Sequence, residues 1–296
     1  MSPQLDTVVV QEKIPAILAV DIGGTKLATA VVDLDGKIIL RDRVPTPARD
    51  PWTTLANLIK RVQASMSDVE LVACGVACGG PMSLNGEHVS PLHILSWRDF
   101  ELRSMVAELT GLATFVDNDA KALALSEGWL GAAAHLKNFM AVVVGTGVGA
   151  GLVLDRQLRD GRQGNAGHIG HMIVEPEGKP CLCGGFGCLE AYISGPAIHA
   201  QTGRHAMYAP SNVVERSGQL LGRACAGVAA VADVSRVVVG GSVALGWGMP
   251  FFQAANAEFT LRSKLSFTKE IDIVPVGLGE SSALIGAAAI ALHKMG

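Results

Sequence analysis

Three thiols and two imidazoles crowd into the stretch from His168 to Glu190, HIGHMIVEPEGKPCLCGGFGCLE. Cys181 and Cys183 are separated by one residue and Cys188 follows after four more, with Gly184, Gly185 and Gly187 between them. Glycine lets the backbone turn tightly enough for three thiolates to converge on one point. Three Cys and one His form a closed tetrahedral donor set of the kind structural Zn2+ prefers, and His171 is the nearest fourth ligand. Two other readings compete. Cysteines can be small buried hydrophobes, but a C-x-C-G-x-x-G-C cluster beside a His is hard to obtain by core packing alone. A disulfide would be strained between C-x-C neighbours, and the chain shows no export signal.

A second kind of chemistry sits at two strand-ending turns, DIGGTK at 21–26 and GTGVGAG at 145–151. Gly23, Gly24, Gly145, Gly147 and Gly149 would let backbone N–H groups crowd round phosphate oxygens, while Thr25 and Thr146 add hydroxyl donors. Neither is a Walker A loop and no G-x-G-x-x-G opens a helix, so ordinary hairpin geometry is the alternative for each turn alone. Two such turns after buried strands favour a nucleotide held between lobes. Asp21 stands at the mouth of the first, where a carboxylate can hold Mg2+ beside phosphates. A third turn, Gly240-Gly241-Ser242, could pass close to a flat base or ribose. Asp119 lies after a strand at the opening of a helix, with Asn118 beside it to orient a bound hydroxyl. Carboxylates there are often only caps, yet phosphoryl transfer to an alcohol needs one carboxylate to accept the proton, and Asp119 is placed for that.

The elements that must position these groups are legible in outline. Ala16–Val20 is a strong strand. Leu27–Val32 and Lys37–Asp42 flank the hairpin signal Asp35-Gly36, and a helix runs from Trp52 to Met66, giving a β-β-β-α opening. Leu71–Val76 is a buried strand ending in the turn Cys78-Gly79-Gly80-Pro81. Phe115–Ala120 runs into a helix over Ala120–Leu130. Phe139–Val144, the glycine turn and Leu152–Asp155 repeat the opening as a weak internal duplication. Beyond Gly195 the chain is mostly helical, with an Ala-rich helix over Gln219–Val231, strands at Val237–Val239 and Ile271–Pro275, and a closing helix over Ser281–Lys294. Met1–Pro15 reads as a short extension in which Val8–Val10 could pair as an edge strand.

The chain has 296 residues, 49% hydrophobic, with 35 Gly and 5% aromatics, which suits an α/β protein of two ordinary domains. A net charge of −3 argues against nucleic-acid binding. No apolar run approaches the roughly 18 residues of a membrane span, and none follows a basic start as in a signal peptide. A cytoplasmic protein with reduced thiols is expected.

Taken together, DIGGTK, Asn118-Asp119-Ala120, GTGVGAG, GHIGH at 167–171, CLCGGFGCLE at 181–190 and GGS at 240–242 resemble the ROK sugar kinases, in family order over nearly the whole chain. The resemblance implies an α/β fold of two actin-like (RNase H-like) lobes with a cleft between them and a zinc-binding loop. It divides the chain into an N-terminal lobe, 1–119, completed by the C-terminal helix 281–296, and a C-terminal lobe, 120–280, carrying the zinc motif and nucleotide turns. It implies ATP with Mg2+, structural Zn2+, and transfer of the γ-phosphate to a hexose, usually at the 6-hydroxyl, in a homodimer. Carried over residue by residue, Asp119 is the base. Asp21, Gly23, Gly24, Thr25, Lys26, Gly145, Thr146, Gly147, Gly149, Gly240 and Gly241 meet the nucleotide. Gly80, His93, Asn118, His168, His171 and Glu190 face the sugar, and His171, Cys181, Cys183 and Cys188 hold zinc.

Two departures bear on the substrate. The family commonly has Glu where this chain has His168, and Asn in the sugar-facing loop where SPLHILSW offers His93. His168 is shared with bacterial N-acetylmannosamine kinases that resemble the chain across this motif. An imidazole can donate a hydrogen bond, which suits an N-acetyl oxygen, so the expectation leans to N-acetylmannosamine over glucose. The alternatives are a sugar-responsive repressor, for which the roughly 15 residues before the first strand are too short and not basic enough for a helix-turn-helix, and a sugar-binding pseudo-kinase, which retention of Asp21, Thr25, Asp119 and both glycine turns opposes.

Overall fold

The computed structural model describes residues 13–65 and 68–296. The expected edge strand at Val8–Val10 and the helix end at Met66 lie outside the described residues. Two five-stranded sheets share one topology. In the first, β1 (Ile14–Ile22), β2 (Lys26–Asp33) and β3 (Ile38–Pro45) form an antiparallel meander, and β4 (Val69–Cys78) and β5 (Thr114–Asn118) add parallel to β1, giving the order β3-β2-β1-β4-β5. Helices α1 (Pro51–Ala64) and α2 (Leu102–Thr110) precede and follow β4, and α3 (Asp119–Trp129) leaves β5 directly.

The second sheet repeats this. β6 (Phe139–Val144), β7 (Val148–Leu154) and β8 (Gln157–Leu158) are antiparallel, and β9 (Arg236–Gly240) and β10 (Asp272–Pro275) add in parallel, in the order β10-β9-β6-β7-β8. Between β8 and β9 lie α4 (Glu190–Ile193), α5 (Gly195–Thr202) and α6 (Ser211–Ala232). α7 (Ser242–Trp247) and α8 (Met249–Arg262) precede β10, and α9 (Ser282–Met295) closes the chain. The two sheets are the two actin-like lobes, and the weak duplication seen in the sequence is a duplication of topology.

Alternation along the strands explains the layering. In β1, Ala16, Leu18, Val20 and Ile22 pack against Leu55, Leu58, Ile59 and Val62 of α1 and Leu102 and Val106 of α2. The intervening Ile17 and Ala19 meet Leu284, Ala287, Ala288 and Ile290 of α9. Successive side chains point to opposite faces, so a strand covered on both reads as a continuous apolar run. The second sheet does the same. Met140, Val142 and Val144 pack with Leu220, Leu221 and Ala224 of α6 and Phe251 and Phe259 of α8, whereas Phe139 and Ala141 meet Leu123 and Ala124 of α3. Helices α3 and α9 touch each other and fill the space between the sheets.

Several boundaries differ from the sequence reading. α1 starts at Pro51, capped by Asp50, whose carboxylate accepts the Thr53 amide at 3.1 Å. α6 starts eight residues before Gln219, because Ser211–Gly218 carries buried Val213, Val214 and Ser217 rather than an alanine run. The sequence reading passed over α2, although Leu102, Met105, Val106 and Leu109 recur on one helical face, and α8, whose apolar residues are spread evenly round the helix. Most consequential, GTGVGAG is not one turn. Only Gly145–Gly147 turns, and β7 has already begun at Val148. Gly149 and Gly151 instead admit α3: a Cβ on Gly151 would lie 2.6 Å from Ala124 Cβ and 2.7 Å from Ala120 O.

Candidate active site

The two strand ends that open the sheets face one another. The first turn is closed by Gly23 N donating to Lys26 O at 2.9 Å, the second by Gly145 N donating to Gly147 O at 2.9 Å. A Cβ on Gly24 would stand 2.9 Å from His93 Cβ and 3.1 Å from Thr146 Cγ2, so the turns meet with His93 between them. The third turn follows β9. Gly241 has φ +95°, and a Cβ there would be 2.3 Å from Val144 O, so only glycine lets the end of β9 lie against the end of β6.

Asp119 is the first residue of α3, between these turns. Asn118 caps the helix, its Oδ1 accepting the Ala120 amide at 2.9 Å, and Asp119 Oδ1 takes the same amide at 2.9 Å. Loss of solvent raises the Asp119 carboxyl above the usual carboxylate range, opposed by the Ala120 amide and His93 and reinforced by Glu190. Asp21 is the penultimate residue of β1 and is 9% exposed. Burial pushes its carboxyl up to about 6, Lys26 pulling down and the charge of Asp119 adding to the rise. Two ionisable carboxylates near each other and shielded from water fit a divalent cation, which would relieve both.

Opposite lies a polar cluster. Asn118 Nδ2 and His168 Cε1 stand 3.4 and 3.5 Å from where a Cβ on Gly80 would be, which makes the bare Gly80 backbone the floor. Burial and the neighbouring His171 lower the His168 pKa. His93 Nε2 and Glu190 Oε2 each come within 3.0 Å of a Cβ position on Gly147, joining this cluster to the second turn. One cleft of about 630 Å3 holds every residue expected above as base, nucleotide ligand or sugar ligand, with Ser242, Glu280, Ser282 and Ala283 also on its wall.

Beside the cleft, one ligand atom each from His171, Cys181, Cys183 and Cys188 falls within a 4.8 Å cluster. Cys181 Sγ is 3.7 Å from His171 Nδ1, and Cys183 Sγ is 3.8 Å from Cys188 Sγ. Four bonds of about 2.0–2.3 Å at tetrahedral angles place ligand atoms roughly 3.4–3.8 Å apart, so the set fits Zn2+. The 3.8 Å separation far exceeds an S–S bond of about 2.05 Å. Gly187, at φ +71°, passes 1.8 Å from Glu175 O at its Cβ position, which is how the loop closes on itself. His171 belongs to both cluster and cleft, and Glu190 opens α4 two residues after Cys188.

A family model described as ROK family matches residues 17–294. The chain belongs to the ROK family. An N-acetylmannosamine kinase of Escherichia fergusonii is 33% identical over 294 residues, covering 93% of this chain and 97% of the relative. A solved ROK family glucokinase from Streptomyces griseus, in complex with glucose and AMPPNP, is 28% identical with a TM-score of 0.82 over 95% of this chain and 100% of that one. A ROK family transcriptional regulator, described as a homologue of the E. coli MLC protein, shares the fold at a TM-score of 0.78 and 23% identity, over 95% of this chain and 78% of that one. Among the described residues of this ROK protein no helix is long and apolar enough to cross a membrane.

Sequence reasoning missed three polar residues that support the cleft. Lys121, at 1% exposure, reaches Asp160 and Gly164. Glu127, at 0%, gathers donors from 132, 277, 278 and 282. Asn165 grips Met82. The one available signal was a Lys and a Glu in a short helix otherwise rich in Ala and Leu on every side.

Proposed function

We propose that this ROK-family chain transfers the γ-phosphate of ATP to the 6-hydroxyl of a hexose or N-acetylhexosamine, with N-acetylmannosamine ahead of glucose. The chain is an enzyme, a sugar kinase of the ROK type. Carrying the finer reading is the position of Asp119: a carboxylate of raised pKa at a helix start, between two glycine turns and a cluster of sugar-competent side chains in one cleft.

In this reading the Asp119 carboxylate accepts the proton of the attacking hydroxyl, which Asn118 helps to orient. Backbone N–H groups of Gly24, Thr25, Thr146 and Gly147 hold the phosphates, those of Gly23 and Gly145 being spent in closing the turns, and the third turn with Glu280–Ala283 faces base and ribose. Asp21 would hold Mg2+, which when bound neutralises charge on the phosphate oxygens. His171, Cys181, Cys183 and Cys188 would hold structural Zn2+, whose binding energy fixes the segment from His168 to Glu190. His168 donates where a carboxylate could only accept, favouring an N-acetyl oxygen. The Escherichia kinase supports the N-acetylmannosamine preference, and the Streptomyces enzyme supports ATP and a hexose. The likeness to the regulator is one of fold alone. A cytoplasmic homodimer, with residues 1–119 and 281–296 as the first lobe, completes the proposal.

An ADP-release assay over glucose, mannose, N-acetylglucosamine and N-acetylmannosamine tests it, in the wild type and in His168→Glu. Turnover highest with N-acetylmannosamine, shifting toward glucose in the variant, is expected. A wild type that prefers glucose, with a ranking His168→Glu leaves alone, refutes the selector role, and no turnover on any sugar refutes the kinase.

A further inference from the structure

The loop 159–167, between β8 and His168, contains no buried side chain, so apolar packing does not hold it. Polar bonds to sequence-distant groups do. Lys121 Nζ, two residues after Asp119 in α3, lies 2.6 Å from Asp160 Oδ1, 2.8 Å from Gly164 O and 3.3 Å from Asp117 Oδ1. Two hydrogen bonds and one ion pair thus meet the ammonium of a side chain that is 1% exposed. A buried ammonium persists only when paired in this way. The next residue but one after Gln163, Asn165, is fixed twice to the segment after β4, its Nδ2 donating to Met82 O at 2.9 Å and its Oδ1 accepting from Met82 N at 3.2 Å. Gly167 O accepts the Ala150 amide of β7 at 2.6 Å. The chain emerges from these fastenings at His168, whose ring edge lies over Gly80.

We propose that Lys121 is a positioning residue: it clamps the loop 159–167 to helix α3 and thereby holds His168 over the sugar floor at Gly80. The proposal rests on the hexose-kinase reading of His168 and adds a residue that touches neither substrate. Asp160 is the outer half of the clamp, its second oxygen 3.7 Å from Lys294 Nζ of α9. Because the loop adds no apolar side chain to the core, releasing it should loosen one segment more than the whole fold.

Lys121→Met removes the charge at similar length, and Asp160→Asn weakens the same contact from the partly exposed side, where folding is safe. Each is compared with wild type for KM of N-acetylmannosamine, KM of ATP, and the rate at which trypsin cuts the native protein after Arg159 or Arg162. We expect sugar KM to rise about tenfold in Lys121→Met and less in Asp160→Asn, with ATP KM within about twofold and loop cleavage faster in both. Unchanged cleavage in both variants, or sugar and ATP KM rising together, overturns the clamp. If Lys121→Met does not fold, Asp160→Asn decides alone. A wild type that phosphorylates no hexose refutes the kinase reading instead, and the cleavage rates then decide whether Lys121 holds the loop.

Discussion

Glu190 accepts the Val148 amide hydrogen through Oε2 at 2.7 Å and leaves Oε1 buried without a partner. Glu190 follows the cysteine loop and Val148 opens β7 directly after the second glycine turn, so one carboxylate keys the proposed zinc loop to the proposed phosphate turn. A buried unsatisfied oxygen is costly unless a ligand donor completes it. Glu190→Gln keeps the shape but loses one charged acceptor. Its sugar affinity by calorimetry should fall about tenfold to a hundredfold, as expected for one charge-assisted bond. Unaltered affinity would mean that Oε1 meets no sugar hydroxyl.

Asp119→Asn retains the helix-start geometry and removes the proton acceptor. Turnover should drop by roughly 10² or more while sugar still binds. Rates near wild type would leave Asp119 only its bond to the Ala120 amide.

The pH dependence follows from the same burial. A base works deprotonated, and burial raises the Asp119 pKa, so kcat/KM should decline on the acid side above the ordinary carboxylate value of about 3.9. For stability the sign reverses. A carboxyl whose folded pKa exceeds its unfolded value stabilises most below the unfolded pKa, and that contribution disappears as pH rises through the folded pKa. For Asp21 the window runs from 3.8 to about 6. The shift corresponds to on the order of 3 kcal/mol. Asp21→Asn should therefore melt higher than wild type at pH 8 without Mg2+, with the gap closing at pH 4; an equal gap at both would refute the assignment.

Metal analysis should find one zinc per chain. Cys183→Ser, removing one of four ligands, should lower both zinc content and Tm, and should weaken sugar binding through Glu190 and His168. Full zinc loading in the variant would dissolve the assigned ligand set.

Glu127 is fully buried and accepts from Ala132 N at 2.7 Å, Gly277 N at 2.8 Å, Leu278 N at 3.1 Å and Ser282 Oγ at 3.0 Å. It fixes the segment leading to Glu280 and Ala283 on the cleft wall. Glu127→Gln turns an NH2 toward donors, so stability should fall by about 1–3 kcal/mol and ATP KM should rise more than sugar KM. The mirror pattern would place this wall on the sugar side.

The sequence by itself determined the chemistry-bearing groups that act through near neighbours. Cys181, Cys183 and Cys188 lie within eight residues, Asn118 caps the helix that Asp119 begins, and strands covered on both faces announce themselves as apolar runs. Such signals are local, because turn, cap and strand preferences depend on residues a few positions apart. Tertiary structure decided which glycines serve what. Gly145 and Gly147 turn the chain, while Gly149 and Gly151, identical in sequence appearance, let α3 approach β7. It also decided the roles of Lys121 and Glu127, whose farther partners stand 39 to 155 positions away. Near neighbours supply only part of what each needs, Asp117 for Lys121 and the Ala132 amide for Glu127. Only packing between the two sheets brings the other acceptors and donors that make their burial tolerable.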